Sequence, residues 1–211
     1  YKLRDNSFFI KDKDGNSALA RGVEQIKLSD QSLELANLAT YGEINSAISE
    51  LYLAIFRRAP DVAGYNYWKQ EAATKGISFV ANSLFSSNEA NAIYPGGIKA
   101  SQFISAIYQN LFNRSADAEG LAYWVGELTT KTRGDVVLSM ANAALLGPDG
   151  NAGKDYLQNR LDWSNFSLAY RSEKQIEWNA GQLLELTNSV TADTLSAVIL
   201  IGQAEAGLIL G

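Results

Sequence analysis

The fold of this chain is decided by the stretch LYLAIFRRAPDVAGYNYWK (residues 51–69) and by IYQNLFNRSADAEGLAYWV (residues 107–125), which repeats it 56 residues later. In each copy, apolar residues recur at spacings of three and four, which predicts one face of a helix. A turn with an aspartate follows, and the next segment carries a glycine and a Tyr-Trp pair. The sequence therefore predicts two helix-turn-helix units, at residues 43–68 and 99–124.

Most of the recurring residues have a packing explanation that needs no ligand. An aspartate at a helix start accepts hydrogen bonds from free backbone N–H groups, which stabilises the helix by roughly 1 kcal/mol. A glycine in the first turn lets another backbone approach closely, and the ring pair is expected to fill the elbow between the helices. The matched residues are Tyr52, Arg58, Asp61, Gly64, Tyr67 and Trp68 in the first copy and Tyr108, Arg114, Asp117, Gly120, Tyr123 and Trp124 in the second.

The segment before the repeat has a different period. Residues 7–11 and residues 23–28 are rich in apolar residues, and the second run alternates apolar and polar positions, so we predict two strands around the turn formers of residues 12–16. We assign residues 1–40 to the β-rich tail of a preceding segment. Residues 41–211 are assigned to one helical domain.

Beyond the repeat, further periodic segments predict a mostly α-helical bundle. They cover residues 136–146, 155–170 and 176–186. A last helix over residues 195–201 is expected to begin near residues 191–193. Its apolar run falls short of the roughly 20 residues that cross a bilayer, so we expect no membrane span.

Composition excludes several classes of function. The 211 residues are 46% hydrophobic and 19% charged, and the net charge is −5. An acidic chain without a basic cluster repels a phosphate backbone, so we expect no nucleic-acid partner. Cysteine and histidine are absent, which removes thiolate and imidazole from both metal binding and catalysis.

One cluster of oxygen-bearing residues is a candidate calcium site. Asp12, Asp14 and Asn16 stand at alternate positions with a glycine between the last two, and a hard cation binds several such oxygens at short spacing. The twelve-residue rule places Val23 where a bidentate glutamate is needed. A solvated hairpin turn is the alternative. Residues 149–151 allow the same two interpretations.

Two other residue types also allow two interpretations. Arg58 and Arg114 could hold an anionic sugar or phosphate, or could pair locally with a carboxylate or with the carbonyl groups that end their own helices. Trp163 and Trp178 could stack on a sugar ring, or could belong to the core, as their apolar surroundings suggest.

The repeat also carries a family resemblance. An aromatic residue, an arginine, an aspartate, a glycine and a Tyr-Trp pair recur in this order twice, from Leu51 to Trp68 and from Ile107 to Trp124. This pattern resembles the bacterial domain-of-unknown-function family 4214 over residues 43–124 and, loosely, through residues 159–161 and 190–193. A more distant likeness is to the linker domains of phycobilisomes, which are usually basic.

The chain departs from the family at the turn. Proline often follows the aspartate in the family, whereas this sequence has Val62 and Ala118, and Ala116 stands where the first copy has Pro60. The resemblance implies a module of long secreted proteins of the repeats-in-toxin or S-layer type, placed outside the cell or on the bacterial surface. The strand segment at the beginning is similar to those that precede such domains.

Three functions are consistent with these observations. We expect a non-catalytic adhesion or anchoring module, with an envelope glycan or a neighbouring surface-protein domain as its partner. The alternative is an architectural spacer or assembly domain. A carboxylate-based hydrolase is the third, since acids alone can cleave glycosides, but 23 acidic residues make any acid pair unspecific.

Overall fold

A computed structural model describes residues 7–11, 17–21, 25–27, 32–34, 46–148 and 150–209 of the chain. The fold is mostly α-helical, as the sequence predicts, with ten helices in that part of the chain. They are α1 (Ser46–Phe56), α2 (Val62–Lys75), α3 (Ile77–Leu84), α4 (Asn88–Ile93), α5 (Ala100–Phe112), α6 (Ala118–Glu127), α7 (Arg133–Leu145), α8 (Ala152–Lys174), α9 (Ala180–Asn188) and α10 (Thr194–Glu205).

Short strands precede the helices. β1 (Ser7–Lys11) pairs antiparallel with β2 (Ser17–Arg21), and β3 (Gln25–Lys27) pairs antiparallel with β4 (Ser32–Glu34). The alternation in the sequence predicts instead that residues 23–28 form the strand across the turn from the first one. The difference arises because the short connection after β1 brings the segment that directly follows it alongside.

The first helices of the two repeated segments end in the same way. Arg57, with φ of 60°, follows α1, and Asn113, with φ of 50°, follows α5. Their N–H groups donate to the carbonyl oxygens of Leu53 and Gln109, each at 3.1 Å. A left-handed residue that reverses the chain is a common helix ending, and here it starts both turns.

The main core surrounds α1, in which every residue from Ile48 to Phe56 is buried. α5, α7 and α8 pack against it, and α3 lies along α7. Helices α3 and α7 cross closely at Gly134, where an added Cβ would lie 2.7 Å from the backbone of Ala81 and of Asn82. The helical segments predicted from the sequence include neither α3 nor α4.

A second apolar cluster lies on the other side of α8. Leu157, Leu161 and Leu168 of α8 belong to the main core, whereas its Trp163 and Phe166 pack with α9 and α10. α8 is therefore an interior helix shared by both clusters. None of the described helices is long and apolar enough to cross a membrane.

Candidate functional site

The turns that follow α1 and α5 are each fixed by an aspartate. Asp61 caps α2, and its Oδ1 accepts a hydrogen bond from the N–H of Gly64 at 2.7 Å. Asp117 caps α6 and accepts from the N–H of Gly120 at 2.8 Å. That hydrogen bond holds the pKa of Asp117 below its ordinary value, and Arg114 adds to the effect. Both carboxylates satisfy a free N–H group of a first helical turn.

The two glycines make room for a tyrosine hydroxyl of the preceding helix. A Cβ built on Gly64 would lie 2.6 Å from Oη of Tyr52, and one built on Gly120 would come still closer to Oη of Tyr108. The prediction that a backbone approaches these glycines was therefore wrong. In the first unit, burial raises the pKa of the Tyr52 hydroxyl to about 12.

Arg58 is buried and has a carboxylate partner. Its guanidinium lies 5.2 Å from the ring centroid of Tyr52. It donates two hydrogen bonds to Glu89, at 3.0 Å from Nε and 2.9 Å from Nη2, and a third to the carbonyl of Ala59 at 3.1 Å. A guanidinium that binds both oxygens of one carboxylate forms the stronger kind of ion pair, so Arg58 joins α4 to the turn.

Arg114 has the same ring contacts in an open setting. Its guanidinium lies 5.5 Å from the ring centroids of Tyr108 and Phe112. It donates to the carbonyl of Ser115 at 3.2 Å and lies 3.7 Å from Oδ2 of Asp117. Its side chain is 54% exposed, against 7% for that of Arg58. The two arginines thus share a motif and differ in burial.

Helices α8 and α9 cover the rest of the first turn. The N–H of Ala59 donates to Oγ1 of Thr187 at 3.2 Å, and the carbonyl of Pro60 accepts from Nη2 of Arg171 at 2.7 Å. Ala59 and Pro60 are buried, whereas residues 115–116, which match them, are exposed and half-buried. The first turn is therefore an interior feature of the fold.

Two buried arginines of α8, Arg160 and Arg171, were missed by the sequence analysis. Arg160 is fully buried and donates to the carbonyl of Arg57 at 2.7 Å and to that of Asn110 at 3.2 Å. These carbonyls lie at the ends of α1 and α5, where the partial negative charge of a helix end favours a cation. Burial lowers the pKa of both α8 arginines to about 10. Their spacing of about three helical turns, which puts both on one face of a long helix, was the available signal.

The Tyr-Trp pairs do not both fill the elbow. In each pair the rings meet edge to face, with centroids 4.8 Å apart. Trp68 and Trp124 are half-buried against the main core, but Tyr67 is 55% exposed and Tyr123 is 58% exposed. The prediction of interior tyrosines was wrong, because neighbouring helical residues point about 100° apart and only one ring of each pair can face the core.

Each exposed tyrosine has a lysine and a glutamate near it. Lys75 donates to Glu71 at 2.6 Å, and this hydrogen bond raises the pKa of the lysine, with Tyr67 adding to the effect. Tyr67, Glu71 and Lys75 form what we call the first tyrosine patch. The second tyrosine patch consists of Tyr123, Glu127 and Lys131, which lie 56 positions further along the chain.

The second patch repeats the electrostatics of the first. Lys131 hydrogen-bonds Glu127, which raises the pKa of the lysine, and Tyr123 and Asp135 add to the effect. Each patch combines a half-exposed phenol ring with a carboxylate acceptor and an ammonium donor. The two patches are the surface feature of the motif that packing does not explain.

The candidate metal site lies elsewhere in the chain. Asp12, Asp14 and Asn16 are outside the described residues, as is Asp149. Asn151 caps α8, and its side chain accepts from the N–H groups that begin the helix. In the part of the chain that the structure describes, no group of three acidic side chains is arranged to hold a metal ion.

Trp163 and Trp178 lie in the second apolar cluster. Trp163 is fully buried and Trp178 is 7% exposed. Their rings stack with centroids 6.1 Å apart, and the guanidinium of Arg171 lies 5.4 Å from the ring centroid of Trp178. Neither tryptophan presents a face to a sugar, so the core interpretation describes both.

Comparisons with known proteins bear on the middle of the chain. The family described as Domain of unknown function (DUF4214) matches residues 81–144, which confirms the resemblance named from the motif. The matched segment runs from within α3 to within α7 and includes the unit at residues 99–124. The unit at residues 43–68 lies outside it. The comparisons with curated proteins and with solved structures found no match.

Proposed function

We propose, starting from the DUF4214 match over residues 81–144, that this chain is a non-catalytic adhesion or anchoring module of a secreted bacterial protein. In this proposal it binds an envelope glycan through the two tyrosine patches. The setting outside the cell or on its surface, of the repeats-in-toxin or S-layer type, is the one that the family resemblance implies.

The exposure of Tyr67 and Tyr123 is the observation that carries the proposal. Most of the other matched side chains have a structural role: the aspartates cap helices, and the tyrosines at positions 52 and 108 pack over glycines. Tyr67 and Tyr123 are more than half exposed in both copies. A large ring in water at two matched positions contributes little to folding, so binding is its better explanation.

The chemistry of each patch fits a sugar. A phenol face offers an apolar surface to the C–H groups of a pyranose ring. The carboxylate of Glu71 or Glu127 accepts hydrogen bonds from hydroxyl groups, and the ammonium of Lys75 or Lys131 donates them. Because each patch pairs one positive with one negative group, a neutral glycan fits as well as an acidic one.

The proposal includes a duplicated architecture. The shared helix endings, caps and patches support two copies of one helix-turn-helix unit, at residues 43–68 and 99–124. Two copies give two sugar sites, and a polymer that engages both gains effective concentration. The β-rich segment of residues 1–40 belongs in this picture to a preceding part of the secreted protein, with Asp12, Asp14 and Asn16 as a candidate calcium site.

An architectural spacer or assembly domain is the second candidate. The observation that favours it is the number of motif residues with a purely internal role, such as Arg58, Asp61 and Gly64. A module selected only for packing retains these residues without any ligand. An architectural role gives no reason why an exposed tyrosine occurs at the same position of both repeated segments.

A glycan array that includes bacterial lipopolysaccharides and capsular polysaccharides tests the proposal, with retention on purified cell envelope as a parallel readout. The wild-type chain is expected to bind at least one envelope glycan. The variant Tyr67→Ala/Tyr123→Ala is expected to lose roughly tenfold or more in affinity, since the stacking surface is removed at both patches.

Two matched variants make the result specific. Tyr67→Phe/Tyr123→Phe keeps both rings and is expected to bind nearly as well as wild type. Leu195→Ala removes another exposed apolar side chain, on α10, and should change nothing. A chain that binds no envelope glycan, or a double alanine variant that binds like wild type, contradicts the proposal.

A further inference from the structure

The turn of the second unit is open where the matching turn of the first unit is covered. We call residues 113–117 the second turn. Its arginine side chain is 54% exposed, whereas that of Arg58 is 7% exposed. Ser115 is exposed, whereas Ala59 is fully buried. One backbone arrangement, with its left-handed first residue and its capping aspartate, thus occurs in a covered and in an uncovered form.

The side chains of other helices that cover the first turn show which chemical groups bind such a turn. Other helices supply a carboxylate to its arginine, a hydroxyl oxygen to a backbone N–H and an N–H donor to a backbone carbonyl: Glu89, Thr187 and Arg171. A surface that covers the second turn in the same way must offer the same groups to Arg114, to the N–H of Ser115 and to the carbonyl of Ala116.

The second unit places its carboxylate differently. The position that matches Glu89, 56 residues on, is Leu145, which has no charge. Instead, Glu119 stands exposed in the first turn of α6, where the first unit has Ala63. Arg114 of the second turn and Glu119 of the adjoining first turn of α6 are therefore both exposed, which gives this surface one cation and one carboxylate.

From this arrangement we infer that the second turn is a contact between two copies of this chain, related by a twofold axis. Arg114 of each copy binds Glu119 of the other. A surface that carries a cation and a carboxylate is complementary to itself under such an axis. Each Arg114 then gains a second carboxylate besides its own Asp117.

The other two groups that bind the first turn, a hydroxyl oxygen and an N–H donor, are also present on the second turn. Ser115 carries the hydroxyl oxygen. Asn113 carries an amide whose oxygen accepts from Gln109 at 2.7 Å, which leaves its NH₂ group as the donor for a carbonyl of the partner. A second copy thus offers the carboxylate, the hydroxyl and the N–H donor that α4, α9 and α8 supply to the first turn. The inference does not rest on glycan binding.

Sedimentation velocity of the full chain over a range of concentrations tests the contact. The wild-type chain is expected to form a dimer, and Arg114→Glu and Glu119→Arg are each expected to weaken it by about tenfold or more, since like charges then face each other. The exchange variant Arg114→Glu/Glu119→Arg restores the ion pairs and should associate nearly as wild type does.

The control is Lys174→Glu, which makes the same change in charge as part of an exposed pair at the end of α8. It is expected to leave the dimer unchanged, and far-ultraviolet circular dichroism verifies that each variant is folded. A wild-type chain that stays monomeric up to about 1 mM overturns the inference. Single variants that associate like wild type, or an exchange variant that stays as weak as the single ones, overturn it equally.

Discussion

The hydroxyl oxygen of Tyr52 lies 2.6 Å from the place that a Cβ of residue 64 would occupy, so Gly64 and Tyr52 fit only because the glycine has no side chain. The contact holds the start of α2 against the end of α1. The same relationship between Tyr108 and Gly120 holds α6 against α5. The corner between α1 and α2 and the corner between α5 and α6 thus each contain one such tyrosine–glycine contact.

Gly64→Ala is expected to lower the free energy of unfolding by about 1 to 3 kcal/mol, because the new methyl group displaces the Tyr52 hydroxyl or the backbone of α2. Urea unfolding followed by circular dichroism measures the change. Gly126→Ala, in α6, is the matched control, because a Cβ there meets nothing within 4 Å. It should stabilise the chain by up to about 1 kcal/mol.

The double variant Tyr52→Phe/Gly64→Ala identifies the cause. Removing the hydroxyl relieves the closest contact of the methyl group and leaves those to the Asp61 carboxylate at 2.8 and 3.0 Å. The double variant should therefore be more stable than the sum of the two single changes predicts. Additive losses would show that the Tyr52 hydroxyl is not what excludes a side chain at position 64.

Arg58→Gln is expected to cost about 2 to 4 kcal/mol in the free energy of unfolding, since it removes both hydrogen bonds to Glu89 from a buried site. Arg114→Gln, the matched change in the open turn, should cost less than about 1 kcal/mol. Chemical unfolding of both variants under the same conditions makes the comparison. Equal losses would mean that the motif arginine acts in the same way in both units.

Arg160→Met is expected to cost about 2 to 4 kcal/mol, because the carbonyl groups of Arg57 and Asn110 lose a buried donor at the ends of α1 and α5. Arg160→Lys should recover little of this stability. The two carbonyl groups are bound by different nitrogens of the guanidinium, and a single ammonium cannot reach both. Lys174→Met, at an exposed position of the same helix, serves as the control in thermal and urea unfolding. If Arg160→Met loses no more free energy of unfolding than the control does, Arg160 does not stabilise the ends of α1 and α5.

Alkaline unfolding should depend on Tyr94, whose hydroxyl donates to the carbonyl of Ile55 at 2.9 Å and accepts from Asn110. Burial raises the pKa of Tyr94 from 10.0 to about 12. A raised folded-state pKa contributes stability that is fully present below the unfolded-state pKa and is lost as pH rises through the folded one. The stability due to Tyr94 is therefore lost between pH 10 and pH 12.

Urea unfolding of wild type and Tyr94→Phe at a series of pH values isolates this effect, because all other groups titrate alike in both proteins. The variant should be less stable near neutral pH, where it lacks two hydrogen bonds, and the difference should shrink as the pH rises above about 10. A difference independent of pH would show that Tyr94 titrates normally in the fold.

The helices with long apolar stripes could be predicted from the sequence. α1 and α5 repeat apolar residues at helical spacing and end where the chain reverses, and α10 begins at the predicted acid, Asp193. α3 and α4 were missed because they are short, and their limits depend on the left-handed Gly76 and on the cap Ser87. No long periodic pattern marks them.

Of the candidate site, only the two tyrosines were predicted from the sequence, and neither the four charged residues beside them nor the geometry was. The repeat identified Tyr67 and Tyr123, yet only coordinates show that each faces water while its tryptophan neighbour packs inward. The Glu71–Lys75 pair and its counterpart were visible as charges four residues apart on a helix. What the sequence does not contain is the difference between the two turns, since Arg58 finds Glu89 only through the tertiary packing of α4.

The most direct test of glycan binding at the two tyrosine patches is isothermal titration calorimetry. The glycan that binds best on the array is titrated into four protein variants. These are wild type, Tyr67→Ala, Tyr123→Ala and the double alanine variant. The account predicts about two sites in wild type, one in each single variant and no measurable binding in the double variant. Unchanged stoichiometry and affinity in all four chains would contradict it.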